Sequence, residues 1–319
     1  MGEARIREFT EEDYGSIARI HDTLLPDHPF FLKRIRYEDS CYGRTRYQIK
    51  RFIAESHSGE TVGFGEYRHL FFQYHPHKFA LDIEVLPEWH GKGIRAMLHD
   101  RLLEELAKVG AETVWPMVLS TQDSAIRFYL KRGYVEKRKS FESWLDLEHF
   151  DESGFARLTK DLERQGVATS RLSSEFRSDP DAGKRLKELE DSGAADVPGA
   201  VVDLPMPYSD YELVILMSPI MVWDGSFVAK ESGVWVGESS LLESGIEGVI
   251  DQGFTVVRPD HRGRNIAQAV KLQTVLYAMA KGARHVRTYN DSENHSMLAV
   301  NKKMGFEKRW EWPTFELNL

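Results

Sequence analysis

Two short stretches hold residues of the type and spacing that bind a phosphate group. The first is His90-Gly91-Lys92-Gly93-Ile94-Arg95; the second is Arg262-Gly263-Arg264-Asn265-Ile266-Ala267. Each combines flexible backbone with cations and stands just before a run of helical periodicity. Glycine has no β-carbon, so its backbone approaches an anion closely. The first turn of a helix leaves amide N–H groups unpaired, and the helix dipole adds positive character there. The chemistry on offer is the holding of a phosphate; such turns also serve plain strand–helix packing. Just before the first stretch, Glu84 alternates with Ile83 and Val85. It is read either as a proton-accepting carboxylate, directly or through a water, or as a solvent-facing acid on an amphipathic strand.

The surrounding pattern says what positions these residues. Leu81, Ile83 and Val85 alternate with Asp82 and Glu84, the period of a half-buried strand. Pro87 ends it, since proline cannot donate to a ladder. Ile94, Met97, Leu98, Arg101, Leu102 and Leu106 then recur at helical spacing, with Gly110 past the end. Phe254, Val256, Pro259 and Ile266 repeat this strand–turn–helix layout. The two copies lie 172 residues apart (Pro87 and Pro259) and keep register without a gap from Phe79–Tyr134 to Asp251–Phe306. Two copies of one domain are expected, residues 1–149 and 150–319.

Upstream elements support the duplication. Gln48–Glu55 and Thr61–Tyr67 read as a hairpin, and so do Phe227–Lys230 and Val234–Ser239. Arg5–Phe9 reads as a first strand, and Thr10 as the cap of the helix carrying Ile17 and Ile20. Trp144–Leu147 is expected to close the first domain and Trp310–Leu317 the second. Phe150–Arg164 reads as an amphipathic helix, Gly166–Leu172 as a strand, Ala182–Leu189 as a helix, and Tyr211–Met217 as a helical stretch. Gly193–Pro207 is a loop by composition.

With 319 residues, each half has room for a real core. A net charge of −8 argues against general nucleic-acid affinity. The lone Cys41 leaves no intramolecular disulfide or cysteine-built zinc site. His75 and His77 have no ligand partners at helical spacing, so no metal is expected. No apolar run is long enough to span a bilayer, and the N-terminus has no secretory pattern, so a cytoplasmic protein is expected.

On these residues the chain resembles the GCN5-related N-acetyltransferases (GNAT), as a tandem member with a mycothiol-synthase-like architecture. The family carries Arg/Gln-x-x-Gly-x-Gly/Ala after a Val-x-Pro strand end. Arg262–Ala267 fits except that Asn265 replaces the central glycine; His90–Arg95 keeps Gly93 but departs at His90 and Arg95. Ser124–Tyr134 is similar to the family's Ala-x-x-Phe-Tyr-x-x-x-Gly-Phe segment, and Asn290–Phe306 is its counterpart. The resemblance implies an α/β fold with a mixed sheet in each of two acyl-CoA N-acyltransferase domains. It implies acetyl-CoA as cofactor, in a splay between two central strands, and a small-molecule amine as acceptor.

Site residues follow from the same resemblance. Cofactor contacts fall on Ile83, Val85 and His90–Arg95 (Gly91, Lys92, Gly93, Ile94) in the first half. In the second they fall on Thr255, Val257, Arg262, Gly263, Arg264, Asn265, Ile266, Ala267, Asn290, Asn294 and Asn301. An amine must lose a proton before attack, and a leaving thiolate should gain one. Glu84 is the candidate base, with Asp82, Asp251 and Glu293 as alternatives. Tyr129 matches the family's tyrosine and is the candidate acid. Domain two has Val256 for Glu84 and Asn301 for Tyr129, so the better cofactor motif and the better acid and base sit in different halves. The arginines of Phe30–Arg51 wall the acceptor site in this fold, as a basic wall or as plain solvated surface. The expectation is an acetyl-CoA-dependent N-acetyltransferase, monomeric or homodimeric, with no nucleic-acid or membrane partner. The alternatives are a non-catalytic acyl-CoA-binding module and an aminoacyl-tRNA-dependent peptidyltransferase.

Overall fold

The computed structural model describes residues 4–194, 198 and 204–319. In chain order the first elements are β1 (Ala4–Glu8), α1 (Tyr14–Leu24), α2 (Leu32–Tyr42), β2 (Ile49–Ser56), β3 (Thr61–Arg68), β4 (Lys78–Val85), α3 (Ile94–Lys108), β5 (Thr113–Trp115), α4 (Asp123–Lys131) and β6 (Val135–Asp146). Then come α5 (Leu158–Arg164), β7 (Val167–Arg171), α6 (Leu172–Ser178), α7 (Ala182–Ser192), α8 (Tyr208–Tyr211), β8 (Phe227–Glu231), β9 (Val234–Glu243) and β10 (Val249–Val257). The last are α9 (Ile266–Ala280), β11 (His285–Asp291), α10 (His295–Lys303) and β12 (Glu307–Asn318). Two compact units result: unit 1 is Met1–Arg138 with Trp312–Leu319, and unit 2 is Lys139–Glu311. We retain 1–149 and 150–319 as a proposal about the sequence repeat; the spatial units are cut differently.

Each unit is a mixed sheet of one design. In unit 1, β1 to β4 are antiparallel neighbours, β5 lies parallel to β4, and the end of β12 pairs antiparallel with β5. In unit 2, β7 to β10 are antiparallel neighbours, β11 lies parallel to β10, and β6 pairs antiparallel with β11. The sixth strand corrects the expected pairing. Trp144 and Leu145 lie opposite Arg287 and Val286 of β11, and Leu317 lies opposite Val114 of β5. Alternation in sequence identifies a strand but not its neighbour, and both parallel strands offer the same kind of edge.

Hydrophobic pattern explains the rest. Leu98, Leu102 and Leu106 of α3 are fully buried and pack with Phe79, Leu81, Ile83 and Val85 of β4. Each such leucine contributes roughly 1.5–3 kcal/mol by burial. That stripe fixes where α3 begins relative to the end of β4. In unit 2, Ile266, Ala269 and Val270 of α9 pack on Ala229 and Val236. Thr10 forms a capping box with Asp13, its amide donating to Oδ2 at 2.8 Å. Both expected hairpins form. The helix expected over Phe150–Arg164 is broken into a short turn at Glu152–Phe155 and α5. Asp151 accepts the Ser153 amide at 2.9 Å, a local bond that competes with helix. Tyr211–Met217 forms α8 and a wider helical turn, Glu212–Leu216. Residues 195–197 and 199–203 of the expected loop lie outside the described residues. The helices α2 and α6 were not legible in the pattern.

Candidate active-site clefts

The parallel strands part company early in both units. Strand β4 pairs with β5 only at Lys78–Ala80, and its Leu81–Val85 edge goes on without a partner on that side. Strand β10 pairs with β11 only at Val249–Asp251 and continues to Val257. Ile83, Val85, Thr255 and Val257 lie on these continuing segments.

At the end of each segment the backbone takes the left-handed conformation twice. Gly91 and Gly93 have φ of 79° and 81°; Gly263 and Asn265 have 76° and 63°. Asparagine tolerates this region better than most side-chain-bearing residues, so Asn265 takes the shape that glycine takes in the other copy. Gly93 and Asn265 then stand at the N-caps of α3 and α9, and neither helix start has a side-chain cap. Unpaired amides therefore face outward from both turns. The residue opening each turn braces it: His90 Nε2 lies 2.7 Å from the Val85 carbonyl, and Arg262 Nε donates to the Val257 carbonyl at 3.3 Å. Two different side chains make the same kind of contact at matching places in the two copies.

Grooves open at both turns. The unit 1 groove, about 400 Å³, is lined by Val85, Trp89, His90, Gly91, Gly93, Ile94, Arg95, Ser124, Arg127, Phe128, Lys131 and Arg132 among others. It carries His90, Arg95, Arg127, Lys131 and Arg132 and no carboxylate. Arg95 Nε is buried without a hydrogen-bond partner, and burial lowers the pKa of the guanidinium. A desolvated, under-partnered cation in a groove is a fit for a phosphate oxygen. The unit 2 groove, about 260 Å³, includes Phe254, Thr255, Val256, Val257, His261, Arg262, Gly263, Asn265, Ile266, Ala267, Asn294 and Lys303. Lys92 and Arg264 are absent from these linings. Lys92 lies over the Trp89 ring at 4.2 Å, and Arg264 donates to Glu231 at 2.8 Å.

Glu84 and Tyr129 stand behind the unit 1 turn. Tyr129 is buried in the core, its ring edge-on to Tyr134 at 5.0 Å. Burial, with Asp82 nearby, holds its hydroxyl well above the ordinary phenol range. The phenol is therefore a proton donor at neutral pH. Glu84 Oε1 lies 2.8 Å from His21 Nδ1, and His21 Nε2 lies 2.9 Å from the His28 carbonyl. A carbonyl only accepts, so Nε2 carries a hydrogen, and the Nδ1–Oε1 contact holds one further proton. Burial raises the Glu84 pKa, with His21 partly opposing. Burial works against charge on His21, but Glu84 more than offsets it and its pKa is raised. The other oxygen, Glu84 Oε2, is buried without a partner. His21 escaped the sequence reading, because a single histidine 63 residues upstream gives no periodic signal.

The arginines of Phe30–Arg51 divide: Arg34, Arg36 and Arg44 lie on the exposed surface, whereas Arg51 does not. Arg51 is buried and paired with Asp39 at 2.9 Å and with Glu66; Arg68 pairs with Glu66 and Asp82. Tyr14 donates to Asp39 at 2.6 Å.

In unit 2 the position of Tyr129 holds Asn301. Its amide donates to Asn290 Oδ1 at 2.6 Å and its Oδ1 accepts from Lys271 Nζ at 2.6 Å. Lys271 is fully buried, and burial pulls its pKa down to about 7. Asn294 caps α10, accepting the Met297 amide at 3.1 Å, and lines the groove. Asp251 is bound by Arg287 at 2.7 Å, and Glu293 stands just before α10. Among the described residues no group of His, Cys, Asp and Glu could hold a metal ion, and no helix is long and apolar enough to cross a membrane.

Residues 17–134 match the model of the acetyltransferase (GNAT) family. A solved GCN5-related N-acetyltransferase from Sphaerobacter thermophilus superposes with a TM-score of 0.73 at 17% identity, over 99% of this chain and 96% of that one. A tandem GNAT protein from the clavulanic acid biosynthesis pathway gives 0.73 at 18% identity, over 99% and 98%. A glucosamine N-acetyltransferase region of a fungal multi-domain β-N-acetylglucosaminidase gives 0.74 at 15% identity, over 99% of this chain and 38% of that one. At these identities the likeness is one of fold. No curated protein matches the sequence.

Proposed function

We propose that this chain, a tandem member of the GNAT family, is an acetyl-CoA-dependent N-acetyltransferase acting on a small-molecule amine. The observation that carries the reading is the unit 1 cleft. It sets an anion turn and a groove lined in part by Arg95, Arg127, Lys131 and Arg132 near a buried carboxylate and a buried phenol. Arg95, His90 and the amides after Gly93 would hold the diphosphate, and the free edge of Leu81–Val85 would flank the pantetheine. Bound acetyl-CoA supplies the activated thioester.

The chain's own residues supply proton handling and orientation. Glu84 Oε2 accepts a proton from the ammonium, directly or through a water; its raised pKa makes it a stronger base than an ordinary carboxylate. His21 holds the opposite oxygen and is itself fixed by the His28 carbonyl. Tyr129 keeps its proton at neutral pH and can give it to a departing thiolate. The Arg51–Asp39 and Arg68–Asp82 pairs leave these arginines little charge to offer an anionic acceptor. In unit 2, Asn301 makes an acyl-CoA-holding role the second reading for that half. We place the protein in the cytoplasm, as a monomer or homodimer, without nucleic-acid or membrane partners.

The test is thiol release from acetyl-CoA over a panel of primary amines, alongside a thermal shift with CoA. Turnover with at least one amine and stabilisation by CoA are expected. Stabilisation without turnover would leave a binding module, and absence of both would end the proposal.

A further inference from the structure

Strand β9 pairs antiparallel with β10, and Glu238 lies opposite Val256. Directly paired residues leave an antiparallel sheet on the same face. Val256 is the repeat counterpart of Glu84. The carboxylate missing from β10 is therefore present on the same face, one strand away.

Glu238 has no exposed surface, and neither carboxylate oxygen has a hydrogen-bond partner. Tyr211 of α8 is also buried, and its hydroxyl faces the Glu190 carboxylate. Helix α7 packs on β9, β10 and α8, which brings Glu190 to the same place. Gly193, at the end of α7, and Val256 both line the unit 2 groove, so the cluster sits behind that wall. Lys187, a cation of α7 beside the cluster, pairs with Asp191 at 2.5 Å. The stretch Ala195–Asp203 contains no lysine or arginine.

An unpaired buried carboxylate is costly, and two facing one another more so. Burial pushes Glu190 up to about 8, and burial with Glu190 pushes Glu238 well above the ordinary range. The missing counterpart is a compact cation that donates hydrogens to several oxygens at once. A primary ammonium has three N–H donors; once Glu238 releases its proton to solvent, both its oxygens and the Tyr211 hydroxyl can accept.

We propose that unit 2 binds the protonated amino group of a small primary amine at Glu238, with Glu190 and Tyr211 beside it. This gives the chain a second amine site next to its second anion turn. Reading that turn as an acyl-CoA cleft gives the amine a role; the binding itself does not require it.

The experiment measures binding of n-propylammonium chloride by calorimetry, against equal sodium chloride, in a Glu84→Gln background that removes the unit 1 carboxylate. Saturable binding is expected, with 1-propanol and tetramethylammonium inactive because they lack the charge or the N–H donors. Adding Glu238→Gln should weaken binding about tenfold or more, and Tyr211→Phe should weaken it less. Circular dichroism confirms that each variant is folded; Tyr211→Phe carries the test if Glu238→Gln is not. No saturable binding, or binding unchanged by either substitution, overturns the site. If amines bind but no thiol is ever released from acetyl-CoA, the site stands and the acetyltransferase reading falls.

Discussion

Units 1 and 2 share strand order, the early parting of their parallel strands and a doubly left-handed turn, yet they furnish the cleft with different chemistry. Unit 1 sets Glu84, His21 and Tyr129 behind a groove carrying five potential cations. Unit 2 sets a hydrogen-bonded run of Lys271, Asn301 and Asn290 on one side and an unpartnered Glu238 on the other. The backbone that presents amide hydrogens is set by glycine, asparagine and hydrophobic spacing, which both copies keep. The titratable side chains project from the faces around it and can change without disturbing that frame. The two copies therefore share the backbone turn more closely than the side chains around it.

The strongest way to break this contrast is Glu84→Gln. A loss of about 10²–10⁴-fold in kcat is expected, with the acetyl-CoA KM nearly unchanged. Full activity in that variant would move the chemistry out of unit 1. The His21–Glu84 pair also sets a direction for pH. Both pKa values are raised, so the base forms only as the pair loses its shared proton, and kcat should rise with pH through the neutral range. His21→Asn should shift that rise to higher pH, because the group that partly opposes the burial-raised pKa of Glu84 is gone. A profile that does not move would make His21 merely structural.

Lys271 sharpens the contrast through stability. Its folded pKa, about 7, lies below the ordinary lysine value of 10.5. Between those values the unfolded chain binds a proton that the folded chain does not. Stability should therefore rise with pH across that window, with a slope of up to roughly 1.4 kcal/mol per pH unit from this group. Urea melts at pH 7 and 9 would show it, and Lys271→Met should flatten the difference. Equal slopes would refute the depressed pKa.

Two smaller effects concern the anion sites. Arg95→Ala should weaken CoA binding by roughly tenfold, the worth of a charge-assisted bond, with calorimetry as the readout. Tighter binding would mean that Arg95 blocks the groove. At the turns, Gly93→Asn should be nearly neutral, as Asn265 already stands at the matching place, whereas Gly93→Val should cost about 1–2 kcal/mol. Thermal melts of both variants would separate backbone strain from loss of ligand.

Much of the frame was legible beforehand. Period-two alternation marked β4, helical spacing marked α3, and the 172-residue register carried both readings to β10 and α9. These are local signals, written in consecutive residues. His21 was invisible because its partner is 63 positions away, and Arg51 gave no hint of Asp39 and Glu66. The broken helix before α5 was lost to a side-chain bond that spacing does not record.

The amino-acid order by itself determined the duplication, the two turns and the helices that begin at them, because backbone preference and the burial of apolar stripes act over a few residues. Tertiary structure alone decided which strand closes each sheet, which arginines are neutralised, and which carboxylates are left without a partner. Those outcomes depend on contacts between distant segments, where burial and electrostatics act through space and leave no periodic trace along the chain.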